Sequence, residues 1–165
     1  MNDPFRTDYD YELFLYGLME QFSSIRQSTL IFVRAGARIA RVEGELRFDQ
    51  NIRLVVREIA TYTQRPIVLE DYSYAVWQND IKLYWYDPQP HPHIPSLKKN
   101  HPHHKHIPPD IKHNRVPAPE MSFTQPNLPT LIREIETLIQ QQSQDEEEKS
   151  EQADRTIGKI FVVGL

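Results

Sequence analysis

The stretch IRLVVREIA (52–60) places Ile52, Leu54 and Val56 on one side of an extended chain and arginine side chains on the other. A hydrophobic period of two is typical of a β-strand with one buried face and one wetter face. This stretch therefore predicts a strand, and the sequence on both sides of it carries a related signal.

Four further strands are predicted around the first, because runs rich in Ile, Val, Tyr and Thr alternate with short turn signals. They are TLIFVR (29–34), ARIARVEGELRF (37–48), RPIVLEDYSYAVW (65–77) and IKLYWYD (81–87). Five strands joined by tight turns imply an antiparallel meander that needs cover on one face.

Amphipathic helices are predicted before and after these strands in the sequence, and they can cover one face of the sheet. The first spans 9–23 with Asp8 or Asp10 as its N-cap, and its apolar positions are Tyr11, Leu15, Leu18 and Phe22. The second follows Asn127 as its N-cap, and its apolar positions are Leu128, Leu131, Ile132, Ile135, Leu138 and Ile139. We therefore expect an α+β fold: an antiparallel β-meander of about five strands with N-terminal and C-terminal helices packed on one face.

The chain has 165 residues and a formal net charge of −4, but the charge is unevenly spread. All seven His lie in 91–115, where five basic residues and one acid give +4, whereas 143–155 carries six acids and two bases. We predict a single domain over 1–142, with a basic Pro/His segment at 88–126. An acidic flexible tail at 143–158 and an apolar end at 159–165, which could pair as an edge strand, complete the chain.

Several classes of protein are excluded or disfavoured. There is no Cys, so disulfides, thiolate metal sites and Cys nucleophiles are excluded. The acidic start MNDPFRTDYDYELF (1–14) has no long apolar run, so we expect no signal peptide and a cytoplasmic protein. No stretch approaches the roughly 18 apolar residues of a membrane helix. The sequence also has no Walker loop, dinucleotide fingerprint, HExxH or GxSxG motif.

The segments YWYDPQPHPH (84–93) and NHPHHKH (100–106) carry most of the chemistry. Imidazole gives and takes protons near neutral pH. In an extended segment His104 and His106 share one side, and His103 and Lys105 share the other. Two His and a Lys suffice for metal-free RNA cleavage: one His takes the 2′-hydroxyl proton, the second protonates the 5′-oxygen, and Lys stabilises the phosphorane. The candidate catalytic residues, which need no cofactor, are therefore His103, His104, Lys105 and His106.

Further residues are candidates for contacting such a substrate, because exposed aromatic rings stack on bases and lysines bind phosphate. They are Tyr84, Tyr86, Asp87, His91, His93, Lys98 and Lys99.

The same residue types allow other interpretations. His-rich tracts also bind metal, and His93, His104 and His106 form the alternative set of metal ligands. A His/Pro cluster can equally be a surface loop that is passive or binds another protein. A non-enzymatic interaction or metal-binding protein that uses the His/Pro-rich basic segment is therefore the alternative to RNA chemistry.

The order of elements and two motifs resemble the TumE-like family, toxins of type II toxin–antitoxin pairs that were formerly a domain of unknown function. The resemblance covers roughly 10–142. It is sharp at Tyr84–Asp87, where Asp87 stands at the place of the family's strand-end acid, and at 102–106, where PHHKH is intact. The chain departs from the family in a Pro- and Lys-rich stretch between these motifs and in a long link at 107–127.

The resemblance implies a small prokaryotic toxin that acts on RNA and is neutralised by a cognate antitoxin protein. Combined with the His and Lys residues above, it predicts a metal-independent endoribonuclease. The expected partners are the antitoxin and RNA, with no membrane, and a homodimer is compatible with the sequence.

Overall fold

An antiparallel sheet of eight strands forms the centre of the fold in the computed structural model, which describes residues 3–162 without the side chains of 158 and 160–162. The strands lie in the order β1-β3-β4-β5-β6-β7-β8, and β2 also pairs with β3. Their bounds are β1 Gln27–Ser28, β2 Ile31–Ala35, β3 Ile39–Arg47, β4 Ile52–Thr61, β5 Val68–Gln78, β6 Ile81–Asp87, β7 His104–His106 and β8 Arg115–Pro117.

The predicted α+β class is confirmed, but the count of about five strands was wrong. Strands β2 to β6 correspond to the five predicted runs. The additional strands β1, β7 and β8 have only two or three residues each. A segment that short cannot display a period of two, so the hydrophobic pattern gave no sign of them.

Strand β3 accepts two partners on one side, because β1 and β2 both pair with it. Gly44 of β3 lies where the chain passes from one to the other, and its φ is +137°. A Cβ built at Gly44 would lie 2.5 Å from the carbonyl oxygen of Thr29. This close approach requires glycine.

The predicted N-terminal helix 9–23 is two helices, α1 (Asp8–Tyr16) and α2 (Leu18–Gln21), which Gly17 separates. Glycine weakens a helix interior by about 1 kcal/mol relative to alanine. Gly17 is the C-cap of α1, and its backbone N–H bonds carbonyl groups of the preceding turn. The predicted amphipathic segment is therefore helical but interrupted.

The N-cap of α1 is Thr7, so the prediction of Asp8 or Asp10 was wrong. Thr7 Oγ1 accepts a hydrogen bond of 3.0 Å from the backbone N–H of Asp10. The carboxylate of Asp10 instead accepts from the guanidinium of Arg6. The negative charge of Asp10 also stabilises the first turn of α1, because it lies near the positive end of the helix dipole.

Helix α1 covers one face of the sheet, which we call the inner face. The buried carboxylate of Glu58 accepts hydrogen bonds from the hydroxyls of Tyr11 in α1 and Tyr74 in β5. Tyr74 in turn accepts from the side-chain amide of Asn127, which also bonds Ser122. Burial raises the pKa of Glu58, against the effect of the two tyrosine hydroxyls. This network ties the first helix to the segment that precedes the last one.

Helix α3 spans Leu128–Val162, and the chain divides into two compact units at Pro129 and Thr130. The predicted apolar positions Leu131, Ile132 and Ile135 are buried. Where an acidic flexible tail and an edge strand were expected from 143 onward, the structure has the continuation of α3 as far as 162, and its described side chains are exposed from 144 onward. Residues 163–165 of that apolar end lie outside the described residues. Among the helices of the described chain, none has the length and apolar character needed to span a bilayer.

Candidate functional site

The last strands of the sheet bring one carboxylate and two imidazoles together. Asp87 ends β6 and pairs with His104 of β7, while Trp85 pairs with His106. Because side chains alternate along a strand, the three groups share the face opposite α1, which we call the outer face. We call Asp87, His104 and His106 the Asp–His–His cluster.

The ligating atoms of the Asp–His–His cluster converge. Nε2 of His104 lies 3.0 Å from Nε2 of His106, and each Nε2 lies 3.2 Å from one oxygen of Asp87. The two imidazoles are 1% and 3% exposed, whereas the Asp87 side chain is 21% exposed. An open cleft whose walls include Tyr72 and Phe123 reaches Asp87. The cluster is therefore approached from solvent past this carboxylate.

The other ring nitrogens of the cluster determine its tautomers. Nδ1 of His104 lies 3.0 Å from the carbonyl oxygen of Pro102, and Nδ1 of His106 lies 3.1 Å from that of Ile111. A carbonyl oxygen can only accept, so each Nδ1 carries a hydrogen and donates it. In the neutral rings this leaves a lone pair on each Nε2.

Two donors hold the carboxylate of Asp87. The backbone N–H of Gln89 donates to Oδ1 over 2.9 Å, and the indole N–H of Trp85 donates to Oδ2 over 3.0 Å. Desolvation would raise the pKa of Asp87, but these hydrogen bonds and the neighbouring imidazoles hold it below its ordinary value. Asp87 is therefore ionised at neutral pH.

Trp85 also fixes the orientation of His106. The two rings stack with their centroids 3.8 Å apart. Burial lowers the pKa of His106, and the charge of Asp87 opposes this effect. The imidazole is therefore held neutral beside an ionised carboxylate.

Two more polar groups border the cluster. Arg115 of β8 pairs with His106, and the ring centroid of His91 lies 4.8 Å from that of His104. Nε of Arg115 and Nε2 of His91 are buried and have no hydrogen-bond partner among the described residues. Buried polar atoms are nearly always satisfied, so both atoms are candidates to bond a ligand at the cluster.

A row of cations and aromatic rings on the outer face leads to the cluster. The guanidinium of Arg53 lies 5.1 Å from the ring centre of Trp77. The ammonium of Lys82 lies 5.0 Å from the ring centre of Trp77 and 4.6 Å from that of Trp85. We call Arg53, Trp77, Lys82 and Trp85 the cation–aromatic strip. Such groups stack on bases and attract phosphates.

An irregularity in β6 creates this strip. Trp77 pairs with Lys82 while Val76 pairs with Tyr84, so Leu83 is an extra residue in the strand. A β-bulge shifts the alternation of side chains. Lys82 therefore lies on the same face as Trp85, although three positions separate them.

The candidate catalytic residues are divided by the structure. His104 and His106 lie together on one side of β7, as the alternation predicts. His103 lies apart from them, with Nδ1 2.6 Å from the hydroxyl of Tyr72 and its ring against Phe123. Burial lowers the pKa of His103.

Lys105 also lies away from the cluster. It is on the opposite side of β7, with its ammonium 4.0 Å from the ring centre of Tyr84 and 5.2 Å from that of Tyr86. Tyr84 and Tyr86 therefore belong with Lys105 on the inner face, and Tyr86 is buried. These three residues are not brought together with the two imidazoles.

The remaining candidates lie in the segment between β6 and β7. His93 is exposed, and Lys98 and Lys99 are exposed on a 3-10 helix, Pro95–Asn100. Of the predicted substrate-binding residues, Asp87 belongs to the cluster and His91 borders it. In the alternative metal set, the structure has Asp87 in the place that the sequence assigned to His93.

Three residues near the cluster were not among the candidates predicted from the sequence: Trp85, Lys82 and Arg115. Trp85 lies two positions before Asp87, and that spacing on a strand was a usable signal for a shared face. Lys82 required the bulge, and Arg115 required the short strand β8. Neither feature leaves a pattern in the sequence.

A family model described as Toxin TumE matches residues 15–139. That range includes both the Asp–His–His cluster and the cation–aromatic strip. No curated protein and no solved structure matches the chain.

Proposed function

Since this chain belongs to the TumE toxin family, we propose that it is the toxin of a toxin–antitoxin pair and that it cleaves RNA at the Asp–His–His cluster. A family of toxins implies a cognate antitoxin, which would neutralise this activity. We place the reaction in the cytoplasm, where RNA is abundant.

The cation–aromatic strip is the observation that carries the choice of RNA. Two tryptophan rings alternate with two cations along one sheet face, and the last ring stacks on a cluster imidazole. Base stacking on aromatic rings is tolerant of sequence, and cations beside the rings track the phosphates. A single strand laid along the strip would present a phosphodiester to the cluster.

Charge supports the same choice. The overall charge is −4, yet the segment that supplies both imidazoles carries a formal +4. A local basic surface attracts polyanions even when the whole protein is acidic. Arg115, whose Nε is buried without a partner, adds a cation beside His106.

The reaction we propose is transesterification at phosphorus. The 2′-oxygen forms a bond to phosphorus while the P–O5′ bond breaks, and the 2′-proton is lost to solvent as the 5′-oxygen gains one. The products are a 2′,3′-cyclic phosphate and a 5′-hydroxyl. Charge that develops on the phosphorane oxygens is offset by preorganised cations.

The geometry argues against separate base and acid roles for the two imidazoles. In-line displacement puts the attacking and leaving oxygens on opposite sides of phosphorus, so two such groups must flank the phosphate. The Nε2 atoms of His104 and His106 instead face each other at 3.0 Å. We propose that the cluster acts as one unit on one side of the phosphate.

The direct test uses the purified chain and a short labelled RNA. We expect cleavage that yields a cyclic phosphate, and no cleavage when the 2′-hydroxyl at the scissile position is replaced by hydrogen. The variant His106→Gln should abolish cleavage, while Lys149→Ala, on the exposed part of α3, should cleave normally. An intact RNA after prolonged incubation with folded, toxic protein would refute the proposed function.

A further inference from the structure

The Asp–His–His cluster contains three hydrogen-bond acceptors and no donor between them. Both Nδ1 atoms are protonated by their bonds to carbonyl groups, so both Nε2 atoms present lone pairs. These face each other over 3.0 Å and a carboxylate over 3.2 Å. Three lone-pair donors at this separation repel one another unless a positive species lies among them.

The spacing of these atoms fits a metal ion. Nitrogen and oxygen ligands lie about 2.0–2.2 Å from zinc, so neighbouring ligands at tetrahedral angles are roughly 3.3–3.6 Å apart and somewhat closer at octahedral angles. The separations of 3.0 Å between the two Nε2 atoms and 3.2 Å from each to an oxygen of Asp87 lie below the tetrahedral values and close to the octahedral ones. A proton on one Nε2 could at most form a hydrogen bond divided between the other Nε2 and the Asp87 carboxylate. A metal ion would bind all three groups directly.

The surroundings of the cluster resemble those of metal ligands in general. Metal-binding imidazoles donate their other N–H to a carbonyl or carboxylate, and metal-binding carboxylates are themselves hydrogen-bonded. Here Pro102 and Ile111 accept from the imidazoles, and Trp85 and Gln89 donate to the carboxylate. Every ligand is therefore oriented before an ion binds.

We propose that Asp87, His104 and His106 bind one divalent first-row transition-metal ion, with zinc as the leading choice, through one carboxylate oxygen and both Nε2 atoms. Imidazole and carboxylate ligands suit zinc and its neighbours better than magnesium. Three protein ligands leave a position for water or a phosphate oxygen, as in catalytic zinc sites. The buried unpartnered atoms of His91 and Arg115 belong to residues next to the cluster.

The role of this metal rests on the proposed function, but its binding does not. The ion would hold a non-bridging phosphoryl oxygen and offset the charge that the phosphorane develops. It would also explain how two imidazoles that face each other can both serve cleavage. This replaces the metal-independent reaction that the sequence alone favours.

Metal binding is tested first without RNA. The full chain is stripped with chelator, dialysed, and titrated calorimetrically with ZnCl2, and its bound zinc is measured after desalting. We expect one ion per chain and a higher thermal midpoint with zinc. Asp87→Asn and His106→Gln should each weaken zinc binding at least about 100-fold, because each replaces a metal ligand. That factor is the largest loss expected when only a group that hydrogen-bonds to a ligand is removed.

The matched controls are His93→Ala and His113→Ala, since both imidazoles are exposed and outside the cluster. They should retain one ion and the same affinity. As a check on folding, each variant is compared by circular dichroism, and cobalt replaces zinc so that visible absorption bands report the ligand set. Zinc that binds only weakly, or equally in Asp87→Asn, would overturn the metal site.

Cleavage then separates this inference from the proposed function. Cleavage lost in chelator and restored by zinc supports both. Cleavage that continues in zinc-free protein would overturn the role of the metal in cleavage and leave the nuclease function standing. One tightly bound zinc without any RNA cleavage would sustain the metal site and overturn the nuclease function.

Discussion

The indole N–H of Trp85 donates to Oδ2 of Asp87 over 3.0 Å, two residues along the same strand, while the same indole ring stacks on His106. One side chain thus orients a carboxylate and an imidazole of the cluster at the same time.

The variant Trp85→Phe should separate these two contacts, because it removes the N–H and keeps an aromatic ring beside His106. We expect zinc affinity and RNA cleavage to fall about 10- to 100-fold, while unfolding free energy falls by only about 1–2 kcal/mol. Trp77→Phe is the control for zinc affinity, since its ring lies outside the cluster and does not bond Asp87. Equal losses of zinc affinity in the two variants would contradict a role for the indole hydrogen bond.

The variant Lys82→Met should weaken RNA binding and leave the fold intact, because methionine preserves contacts with the two tryptophan rings. We expect affinity at low salt to fall about three- to tenfold. The slope of log affinity against log salt should become shallower by about 0.7, the value for one phosphate contact on a single strand. Lys82→Arg should bind as the unchanged protein does. An unaltered slope in Lys82→Met would remove this lysine from the RNA surface.

The variant His103→Ala should affect stability rather than cleavage, since this imidazole packs on Tyr72 and Phe123. We expect a loss of about 1–3 kcal/mol in urea unfolding. The cleavage rate per folded molecule should stay unchanged, in contrast to His104→Ala. A folded His103→Ala protein that no longer cleaves RNA would restore the catalytic role that the sequence assigned to His103.

The variant Glu58→Gln should alter how stability depends on pH. Burial raises the folded-state pKa of Glu58 above its ordinary value of 4.5, so the folded chain holds a proton that the unfolded chain has lost. The stability that this proton contributes is fully present below pH 4.5, and it is lost as the pH rises through the folded-state pKa of Glu58. Gln keeps hydrogen-bonding groups for Tyr11 and Tyr74 without a charge.

We therefore expect the stability of Glu58→Gln relative to the unchanged protein to rise with pH above 4.5 and then level off. Other carboxylates, such as Asp49, have lowered pKa values and act in the opposite direction. The difference between the two proteins, measured by urea unfolding at several pH values, cancels those groups. A constant difference would mean that Glu58 is not titrating in this range.

The variant Gly44→Ala should destabilise the sheet strongly, because the new methyl group meets backbone atoms of Thr29 and Leu30. We expect a loss of about 3 kcal/mol or more. Gly36→Ala is the matched control: Gly36 also has positive φ, but nothing lies within 4 Å of the built Cβ. Its cost should be about 1–2 kcal/mol. Similar losses at both positions would exclude the close approach as the cause.

The fold could be predicted from the sequence where a pattern repeats over several residues. Period two in IRLVVREIA (52–60) and its neighbours located all the long strands, and apolar spacing located α1 and the start of α3. Strands β7 and β8 escaped because three residues form no pattern. The helical state of the acidic stretch from 143 onward also escaped, because its like charges were interpreted as a sign of disorder.

The part of the candidate site that could be predicted from the sequence is the part that depends on local geometry alone. Alternation in an extended chain put His104 and His106 on one side, which needs only local geometry. The pairing of β6 with β7 decides that Asp87, rather than His93, completes the cluster, and long-range pairing is invisible in one sequence. Alternation alone also put Lys105 on the side opposite the two imidazoles, where the structure has it.

The hydrogen bonds around Glu58 join three distant parts of the chain: Tyr11, Tyr74 and Asn127. During synthesis the hydroxyl of Tyr74 cannot accept its hydrogen bond from Asn127 until Asn127 has left the ribosome. By then Asp87, the imidazoles and every strand have already emerged. The hydrogen-bond network of the core is therefore completed only after all the residues of the Asp–His–His cluster have been made.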